Sequence, residues 1–441
     1  MKIAVIGTGI SGLSAAWLLS EKHDVTIYEK EDRIGGHTHT VDLDYDGKLI
    51  AVDTGFIVYN ETNYPNLTAL FRELNVPTEA SDMSFGFSGR NHSVEWSSNS
   101  LKTVFAQKRN IANPAFLLML LGILRFNRIA VGDITAAELE GVTLGEYLSE
   151  RGFGSRFRDH YLLPMGSAIW STSMEEMLQF PAATFLRFFD NHQLLAPPSK
   201  QFQWHTVTGG SREYVNRILE QTRARIRRST AVTSVERKNG QVIVRDVHGN
   251  IDRFQHVVLA CHSDESLSLL ADPSPAERDV LGGIRYAPNL AILHRDSTLM
   301  PLRSKVWSSW NYMTAPLDDQ TKALPSVTYW MNRLQNIDKR YPLFVSLNPN
   351  RLPAQDLTFA QFNYMHPQFD MKAVSSQRHI AQIQGDRNTW YCGAWCGYGF
   401  HEDGLSSGLA VAEQFGAGRP WAKLDGHAAT MTKPRGLRQA A

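Results

Sequence analysis

Cysteine, net charge and long apolar runs are all scarce in this chain of 441 residues. The three cysteines, Cys261, Cys392 and Cys396, are an odd and sparse set, which argues against a disulfide framework and favours a reducing compartment. Cys392 and Cys396 lack the second cysteine pair of a zinc site. We therefore predict no metal centre.

Lys and Arg number 45 against 44 Asp and Glu, so the formal net charge is +1 and a global field for nucleic acid is absent. The longest apolar run, 115–124, is shorter than the about 18 residues of a spanning helix. Bases lie on both sides of it, within 108–128. This pattern is typical either of peripheral docking on anionic lipid or of a buried helix. We expect a cytoplasmic protein, at the inner face of the membrane if 108–128 docks there.

The first residues have the order of strand, glycine turn and helix that binds dinucleotides. An apolar strand over 3–6 leads into a G-x-G-x-x-G turn, and small and apolar residues follow. Gly7 allows the tight turn, Gly9 lets the backbone approach a pyrophosphate, and Gly12 lets the helix pack closely on the strand. The helix N-terminus then offers free N–H groups to phosphate. The predicted contacts are Gly7, Gly9, Ile10, Ser11 and Gly12.

A second strand over 24–28 ends in Glu29, which lies 29 − 12 = 17 residues beyond the last glycine of the turn. A carboxylate at this offset accepts the ribose hydroxyls and repels a 2′-phosphate. The alternative is an exposed acid at a strand end. The complete motif favours the ribose-binding interpretation.

The segment after Glu29 distinguishes flavin from nicotinamide dinucleotides. Residues 31–37 read Glu-Asp-Arg-Ile-Gly-Gly-His and resemble the R-x-G-G signature of flavin-dependent amine oxidoreductases and related desaturases. Residues 52–55, Val-Asp-Thr-Gly, and the glycine-rich stretch 390–412 resemble further flavin motifs of that superfamily, and the stretch feeds a helix starting near Gly404. The resemblance implies FAD contacts at Lys30, Arg33, Gly35, Gly36, His37, Thr54, Gly55, Val235, Gly393, Glu402, Asp403, Gly404 and Leu405.

One departure from the family pattern concerns the ribityl chain. Many relatives carry an acid directly after the glycine that ends the last strand, but here Ala394 follows Gly393. Either Glu402 or Asp403 is expected to take that place.

The nucleotide signals fall in three blocks, and this pattern predicts an α/β protein. We expect a discontinuous Rossmann-type FAD-binding domain with an inserted α+β substrate domain, similar in fold to amine oxidases. The FAD-binding domain is expected to comprise 1–80, 205–275 and 380–418. The substrate domain takes 81–204 and 276–379, and 419–441 is expected to be a flexible tail.

Nearly the whole chain resembles a bacterial NAD/FAD-binding group within this superfamily, through stretches such as 161–171, 204–214 and 399–404. Members are similar to the desaturase of furan fatty acid synthesis. The resemblance implies an FAD-dependent oxidoreductase that desaturates a lipid-like, fatty acyl substrate by hydride transfer to flavin N5. The alternatives are a flavin amine oxidase and a non-catalytic FAD-binding protein.

Flavin oxidation of a C–H bond requires an apolar pocket and, for desaturation, a base. The candidates for the pocket are aromatic, namely Trp170, Trp204, Trp310, Tyr312 and Tyr398. The candidate bases are His401, which precedes the flavin-facing helix, and His205. Lys305 is the candidate for the lysine that amine oxidases place near flavin N5. Each of these side chains also has an ordinary structural interpretation as a core aromatic or a satisfied histidine.

Overall fold

A computed structural model describes residues 1–134, 139–197, 201–314 and 324–423. The strands in these ranges are β1 Lys2–Ile6, β2 Asp24–Tyr28, β3 Thr40–Tyr45, β4 Lys48–Asp53, β5 Val58–Tyr59, β6 Thr78–Ser81, β7 Phe85–Ser88, β8 Glu95–Ser97, β9 Trp204–Val207, β10 Arg225–Arg227, β11 Val232–Lys238, β12 Gln241–Asp246, β13 Ile251–Phe254, β14 His256–Leu259, β15 Arg285–His294, β16 Trp310–Met313, β17 Ser326–Trp330, β18 Phe344–Leu347, β19 Thr358–Gln368 and β20 Thr389–Tyr391.

The α-helices in the same ranges are α1 Ile10–Ser20, α2 Pro65–Glu73, α3 Leu101–Val104, α4 Pro114–Asp133, α5 Leu144–Glu150, α6 Ser155–Phe157, α7 Leu163–Trp170, α8 Met174–Leu178, α9 Ala182–Asn191, α10 Arg212–Gln221, α11 Ser263–Leu269, α12 Pro275–Leu281, α13 Met331–Leu334, α14 Met371–Gln377 and α15 His401–Gln414.

A five-stranded parallel sheet has the order β10-β2-β1-β14-β20. Its central strand β1 is apolar and almost fully buried, as a parallel strand covered on both faces must be. The carboxyl ends of parallel strands meet at one edge, so Gly7 after β1 and Glu29 after β2 lie side by side, and the Gly7 N–H donates to the Tyr28 carbonyl at 2.9 Å. The expected α/β class and Rossmann-type sheet are confirmed.

The second large sheet has seven strands in the order β19-β15-β18-β17-β16-β7-β8. All its neighbours are antiparallel except β16 and β7, which pair in parallel. The long strands β15 and β19 pair from Arg285 with Gln368 to His294 with Thr358. A hydrophobic core joins this sheet to the helices between α4 and α9.

The parallel sheet draws strands from three separate parts of the chain, 2–28, 225–259 and 389–391. The domain boundaries stay a prediction. At the tail the structure differs from the expectation, because Trp421 is buried and Arg419 donates to the Asn66 side-chain oxygen at 2.8 Å. Residues 424–441 of the expected tail lie outside the described residues.

Helix α4 is half-embedded in the protein. Phe116, Met119, Phe126 and Ala130 form its buried stripe, while Leu118, Leu121 and Leu124 are 65%, 60% and 68% exposed. By length and composition it is the one helix of the described ranges that could cross a membrane. The sequence had suggested only a shorter apolar run. Arg125, Asn127 and Arg128 interrupt the apolar residues but leave the average hydropathy of the helix high.

Candidate active site

The N-termini of α1 and α15 meet at the edge of the parallel sheet. A side chain at Gly404 would lie 2.9 Å from Cγ2 of Ile10, and one at Gly408 would clash with the carbonyl oxygen of Ser11. Glycine at these positions therefore lets the two helices approach closely. Their positive dipole ends converge, which suits an anionic or electron-rich ligand.

The turn after β1 has the form of a ligand cradle. Gly7 has a φ of +107°, and a side chain at Gly12 would clash with the Gly7 carbonyl. Gly9, by contrast, is the N-cap of α1 at φ −63° and has nothing within 4 Å of its Cβ position. No side chain among the described residues caps α1, so its first N–H groups are available to a pyrophosphate. These features fit a dinucleotide.

The Glu29 carboxylate is buried at the carboxyl end of β2. Its Oε2 accepts the Thr8 N–H at 3.1 Å and the Thr8 hydroxyl, and its Oε1 accepts the Glu31 N–H at 2.9 Å. These contacts hold the acid beside the glycine turn, and each oxygen keeps further acceptor capacity for a hydroxyl.

The Gly35-Gly36 turn packs directly on the first glycine turn. Gly36 has a φ of +59°, and a side chain there would lie 2.9 Å from Cα of Gly9. Arg33 fixes the turn by donating to the Thr38 and Gly36 carbonyls, both at 2.8 Å. Lys30 instead forms an exposed ion pair with Glu265 at 2.7 Å.

Residues 37–40 connect the cofactor side to the rest of the site. Thr54 donates to the His39 carbonyl and lies 2.8 Å from the Tyr364 hydroxyl, while Gly55 packs against the His37 carbonyl. The Tyr364 hydroxyl also lies 2.8 Å from Nδ1 of His39. Thus β19, in the seven-stranded sheet, reaches the FAD-type motifs.

His401 is held as a structural residue rather than as a free base. Its Nε2 lies 2.9 Å from the Tyr214 hydroxyl and 3.1 Å from Oγ1 of Thr38, and its ring stacks on Phe56 at 3.8 Å. Burial lowers its pKa to about 3. Both its position and its partners oppose the expected role as catalytic base.

The two other catalytic candidates lie in different surroundings. His205 is half-buried in β9, the central strand of a small sheet, with its ring 5.7 Å from Tyr59. Lys305 is exposed in the short 3₁₀ turn Ser304–Val306. An exposed lysine lacks the buried position beside a flavin that the amine oxidase role requires, so the expectation for Lys305 is corrected.

Three of the five aromatic candidates belong to one wall beside the N-terminus of α15. Phe188 stacks on Phe400, the N-cap of α15, at 5.2 Å, and on His192 at 3.9 Å. Trp170 lies 4.6 Å from Phe188, Tyr398 lies 6.0 Å from it, and Trp204 lies 6.5 Å from His192. Trp310 and Tyr312 lie apart from this wall, in β16, where they contact Tyr329 and Phe87.

Glu402 caps a neighbouring helix. Its Oε1 accepts the Asn66 backbone N–H at 3.0 Å and its Oε2 accepts the Leu67 N–H at 2.9 Å, at the start of α2. Asp403 accepts the Phe400 N–H at 2.9 Å, which starts α15 at His401 rather than near Gly404. Burial raises the pKa of Asp403 to about 7. Of the two acids expected for the ribityl chain, Glu402 is engaged with the start of α2 and Asp403 with the Phe400 N–H, so which of them serves the ribityl chain stays a prediction.

The remaining cofactor candidates lie in the expected elements. The Gly393 N–H donates to Ser407 at 2.9 Å, and Leu405 is buried in α15. Val235 is buried in β11, and its carbonyl accepts the Ala271 N–H at 2.9 Å. Two residues of that region contact the Glu29 backbone: the Thr230 N–H donates to the Glu29 carbonyl at 2.8 Å, and the Arg227 carbonyl accepts the Glu29 N–H at 2.9 Å.

Sequence reasoning missed His366 and Tyr364 on β19. Their rings lie 5.2 Å and 5.0 Å from His37. The period-two spacing of 364 and 366 places both side chains on one face of a strand. Only the fold brings that face to the Gly35-Gly36 turn, so the sequence offered no signal of the contact.

The glycine cradle, the buried acid and the two converging helices define a dinucleotide-binding oxidoreductase. The family profile of the flavin containing amine oxidoreductases matches residues 10–332, and the chain belongs to this family. The members of this family are flavin-dependent oxidoreductases. The expectation of an FAD enzyme is confirmed.

Similar proteins include a putative flavin-containing monoamine oxidase, AofH, of Mycobacterium tuberculosis, 26% identical over 289 residues. The match spans 62% of this chain and 59% of that relative, so this chain covers less than two thirds of it. A fatty acid isomerase from P. acnes superposes with a TM-score of 0.66 at 16% identity, covering 94% of this chain and 98% of its own. Putrescine oxidase bound to putrescine gives 0.67 at 14%, covering 95% and 99%. These two likenesses show the fold.

Proposed function

We propose that the protein desaturates a fatty acyl chain of a membrane lipid, in the manner of the furan-fatty-acid group that its sequence resembles. FAD, when bound, supplies the two-electron acceptor. In this proposal the three nucleotide blocks form the cofactor domain, and 81–204 with 276–379 form the substrate domain. The observation that carries the lipid part is the exposed leucine face of α4.

The surroundings of this face suit an anionic lipid surface. Residues 101–132 include five bases, Lys102, Lys108, Arg109, Arg125 and Arg128, and no Asp or Glu. Bases beside exposed leucines combine electrostatic attraction with burial of apolar area. Because the opposite stripe of α4 is packed into the protein, we propose that the helix lies on the membrane at the cytoplasmic side and does not span it.

A chain of apolar contacts leads from α4 to the aromatic wall. Phe126 of α4 lies 6.4 Å from Phe189 of α9, and Phe189 stacks on Phe185 at 4.3 Å. Phe185 lies 5.8 Å from Trp170, which contacts Phe188 beside Phe400. These rings are packed core residues, and in this proposal an acyl chain from the membrane at α4 would be accommodated along this apolar layer toward the N-terminus of α15. The solved fatty acid isomerase of the same fold is consistent with such a substrate.

The substrate is tested by incubating the FAD-loaded protein with phosphatidylglycerol vesicles that carry palmitoyl and oleoyl chains, or oleoyl chains with a methyl branch at the double bond. We expect mass spectrometry to find acyl chains that have lost two hydrogens, together with bleaching of the flavin without oxygen. An oxidised flavin and an unchanged acyl profile with every lipid would contradict the proposal.

Membrane docking is tested with the triple variant Leu118→Ser, Leu121→Ser, Leu124→Ser. Removing three exposed leucines, each worth about 1.5 kcal/mol when buried, should lower binding to phosphatidylglycerol vesicles at least about tenfold in a flotation assay. The control is Leu302→Ser with Leu352→Ser, two leucines elsewhere that are 69% and 63% exposed. An equal loss of vesicle binding in both variants, or equal binding of the wild type to phosphatidylcholine vesicles, would contradict specific docking through the leucine face of α4.

The second candidate is an amine oxidase, which the match to a putative monoamine oxidase favours. It predicts hydrogen peroxide release with a panel of primary amines and polyamines. The exposed position of Lys305 speaks against it. Flavin reduction by an amine, with none by any lipid vesicle, would reverse the order of the two candidates.

A further inference from the structure

Two histidines from distant parts of the chain face each other in the site. His37 follows the Gly35-Gly36 turn, and His366 lies near the end of β19. Their ring centroids are 5.2 Å apart with the planes at 39°. This distance allows the two imidazoles to exchange a proton directly or through one water molecule.

The pair lies between the two motifs that bind the cofactor. On one side, Gly36 beside His37 packs on Gly9 of the dinucleotide turn. On the other, Pro367 beside His366 lies against Gly399, where a side chain would come 3.6 Å from the proline ring. Gly399 directly precedes Phe400, the N-cap of α15. The pair therefore borders the space that the glycine turn and the N-terminus of α15 share.

Within the described residues, one ring nitrogen of this pair lacks the hydrogen bond that neighbouring histidines have. Nε2 of His37 is buried and has no partner there. His39 and His401, in contrast, are bound to Tyr364 and Tyr214. A buried nitrogen without a partner costs about 1–3 kcal/mol, so its retention indicates a role that bound ligands complete.

The groups around the pair disfavour its protonation while the flavin is oxidised. The charged and titratable groups that act on it are Arg33 from the turn after β2, His262 from the segment before α11 and His401 from α15. Burial, together with these cationic or potentially cationic groups, lowers the pKa of His37 well below its usual range and that of His366 to about 4. Both rings are thus neutral acceptors near pH 7.

We propose that the His37–His366 pair takes up the proton that accompanies reduction of the flavin. In a desaturation, one C–H bond gives its hydrogen and both electrons to oxidised FAD. The electrons of the adjacent C–H bond form the carbon–carbon double bond, and its proton goes to the His366 imidazole. His37 then accepts a hydrogen bond from the resulting imidazolium through Nε2. Proton uptake by the pair rests on FAD reduction, the chemistry of this family, whereas a substrate C–H bond as the source of the proton rests on the desaturation proposed above.

Electrostatics predicts that reduction of the flavin raises the proton affinity of the histidine pair. Two-electron reduction places negative charge on the flavin, and a nearby negative charge favours the protonated form of an imidazole. The second imidazole shares the proton, so the pair titrates as one unit. A base in this position is expected to contribute about 10²–10⁴-fold to the rate of C–H cleavage.

The test measures the midpoint potential of the bound flavin against pH, from pH 5.5 to 8, by anaerobic reduction with dithionite and reference dyes in the absence of substrate. In the wild type, we expect the slope of potential against pH to report the uptake of one more proton per two electrons than in His366→Gln. His379→Gln, at an exposed histidine of the loop after α14, is the matched control and should keep the wild-type slope. Equal slopes in the wild type and His366→Gln would overturn the proposal.

His37→Asn is a second variant, which should also lose the additional proton while its visible spectrum reports retained FAD. If both variants lose the cofactor, the slope measured on the wild type tests the proposal alone. A slope of one proton per two electrons from pH 5.5 to 8 overturns it. Lipid takes no part in this measurement. If the search for acyl products fails but the wild-type potential shows a slope of two protons per two electrons, the lipid substrate is contradicted and the histidine pair remains supported.

Discussion

At the scale of single residues, Gly9 is a position where the cofactor, and not the stability of the fold, requires a glycine. Its φ of −63° suits any residue, and nothing lies within 4 Å of its Cβ position. Gly9→Ala should therefore leave the melting temperature of the cofactor-free protein unchanged. The added methyl group enters the space assigned to the pyrophosphate, so we expect FAD affinity to fall at least about tenfold, or about 1.4 kcal/mol.

Gly154→Ala is the matched control for this measurement. Gly154 is also a helix N-cap, at φ −72°, and also has nothing within 4 Å of its Cβ position, but it lies on the surface before α6. Fluorescence titration of the stripped protein with FAD compares the two variants. Equal affinity in Gly9→Ala and the wild type would place the dinucleotide elsewhere.

Residues differ in how far local sequence determines them. Gly7, Gly9 and Glu29 were predictable because the constraints that select them act within one strand–turn–helix unit. His366 was not, since its neighbour His37 lies 366 − 37 = 329 residues away. The occupied nitrogen of His401 was equally hidden, because its partners Thr38 and Tyr214 come from two other segments.

At the scale of elements, Glu402 tests whether an acid at the start of α15 serves the cofactor or the neighbouring helix. Since its carboxylate accepts the Asn66 and Leu67 N–H groups, Glu402→Gln should weaken the start of α2. We expect a loss of about 1–2 kcal/mol in the free energy of unfolding, with FAD affinity unchanged within about twofold.

The control is Glu413→Gln, which removes an exposed carboxylate from the same helix at its ion pair with Arg419. Such a pair contributes about 0–1 kcal/mol. Urea unfolding and FAD titration are measured on both variants. A selective loss of FAD in Glu402→Gln would restore the ribityl role that the sequence suggested.

Element boundaries show where sequence patterns lose information. The first strand and helix lie close to their predicted positions, because apolar residues and glycines mark them. The single apolar stretch at 254–260 is instead divided between β13, which pairs with β12, and β14, which pairs with β1. Apolar runs alone do not specify this change of partner.

At the scale of the whole molecule, the site depends on segments that are far apart in sequence. The parallel sheet aligns Ile6 with Leu259 and Leu259 with Tyr391. Three separate nucleotide-like blocks predicted such a discontinuous domain. The approach of β19 to the Gly35-Gly36 turn was not predictable, because it depends on how the seven-stranded sheet packs on the parallel one.

The burial of many imidazoles makes the stability of the whole protein sensitive to acid. Burial lowers the pKa of His39, His192, His294 and His366 to about 4 and that of His401 to about 3. Between these values and the usual 6.5, the unfolded chain binds protons that the folded chain does not. Stability is therefore complete above pH 6.5 and is lost as the pH falls towards 4.

His294 isolates one contribution to this acid sensitivity. Its side chain is fully buried, and its Nε2 lies 2.8 Å from Oγ of Ser346. A fall in pKa from 6.5 to about 4 corresponds to about 3 kcal/mol lost by pH 4. Urea midpoints measured from pH 7.5 to 4.5 should fall steeply in the wild type and in the exposed control His248→Gln. In His294→Asn the midpoints should fall less steeply, because unfolding then takes up about one proton fewer. An identical slope in all three proteins would contradict a lowered pKa of His294 in the folded state.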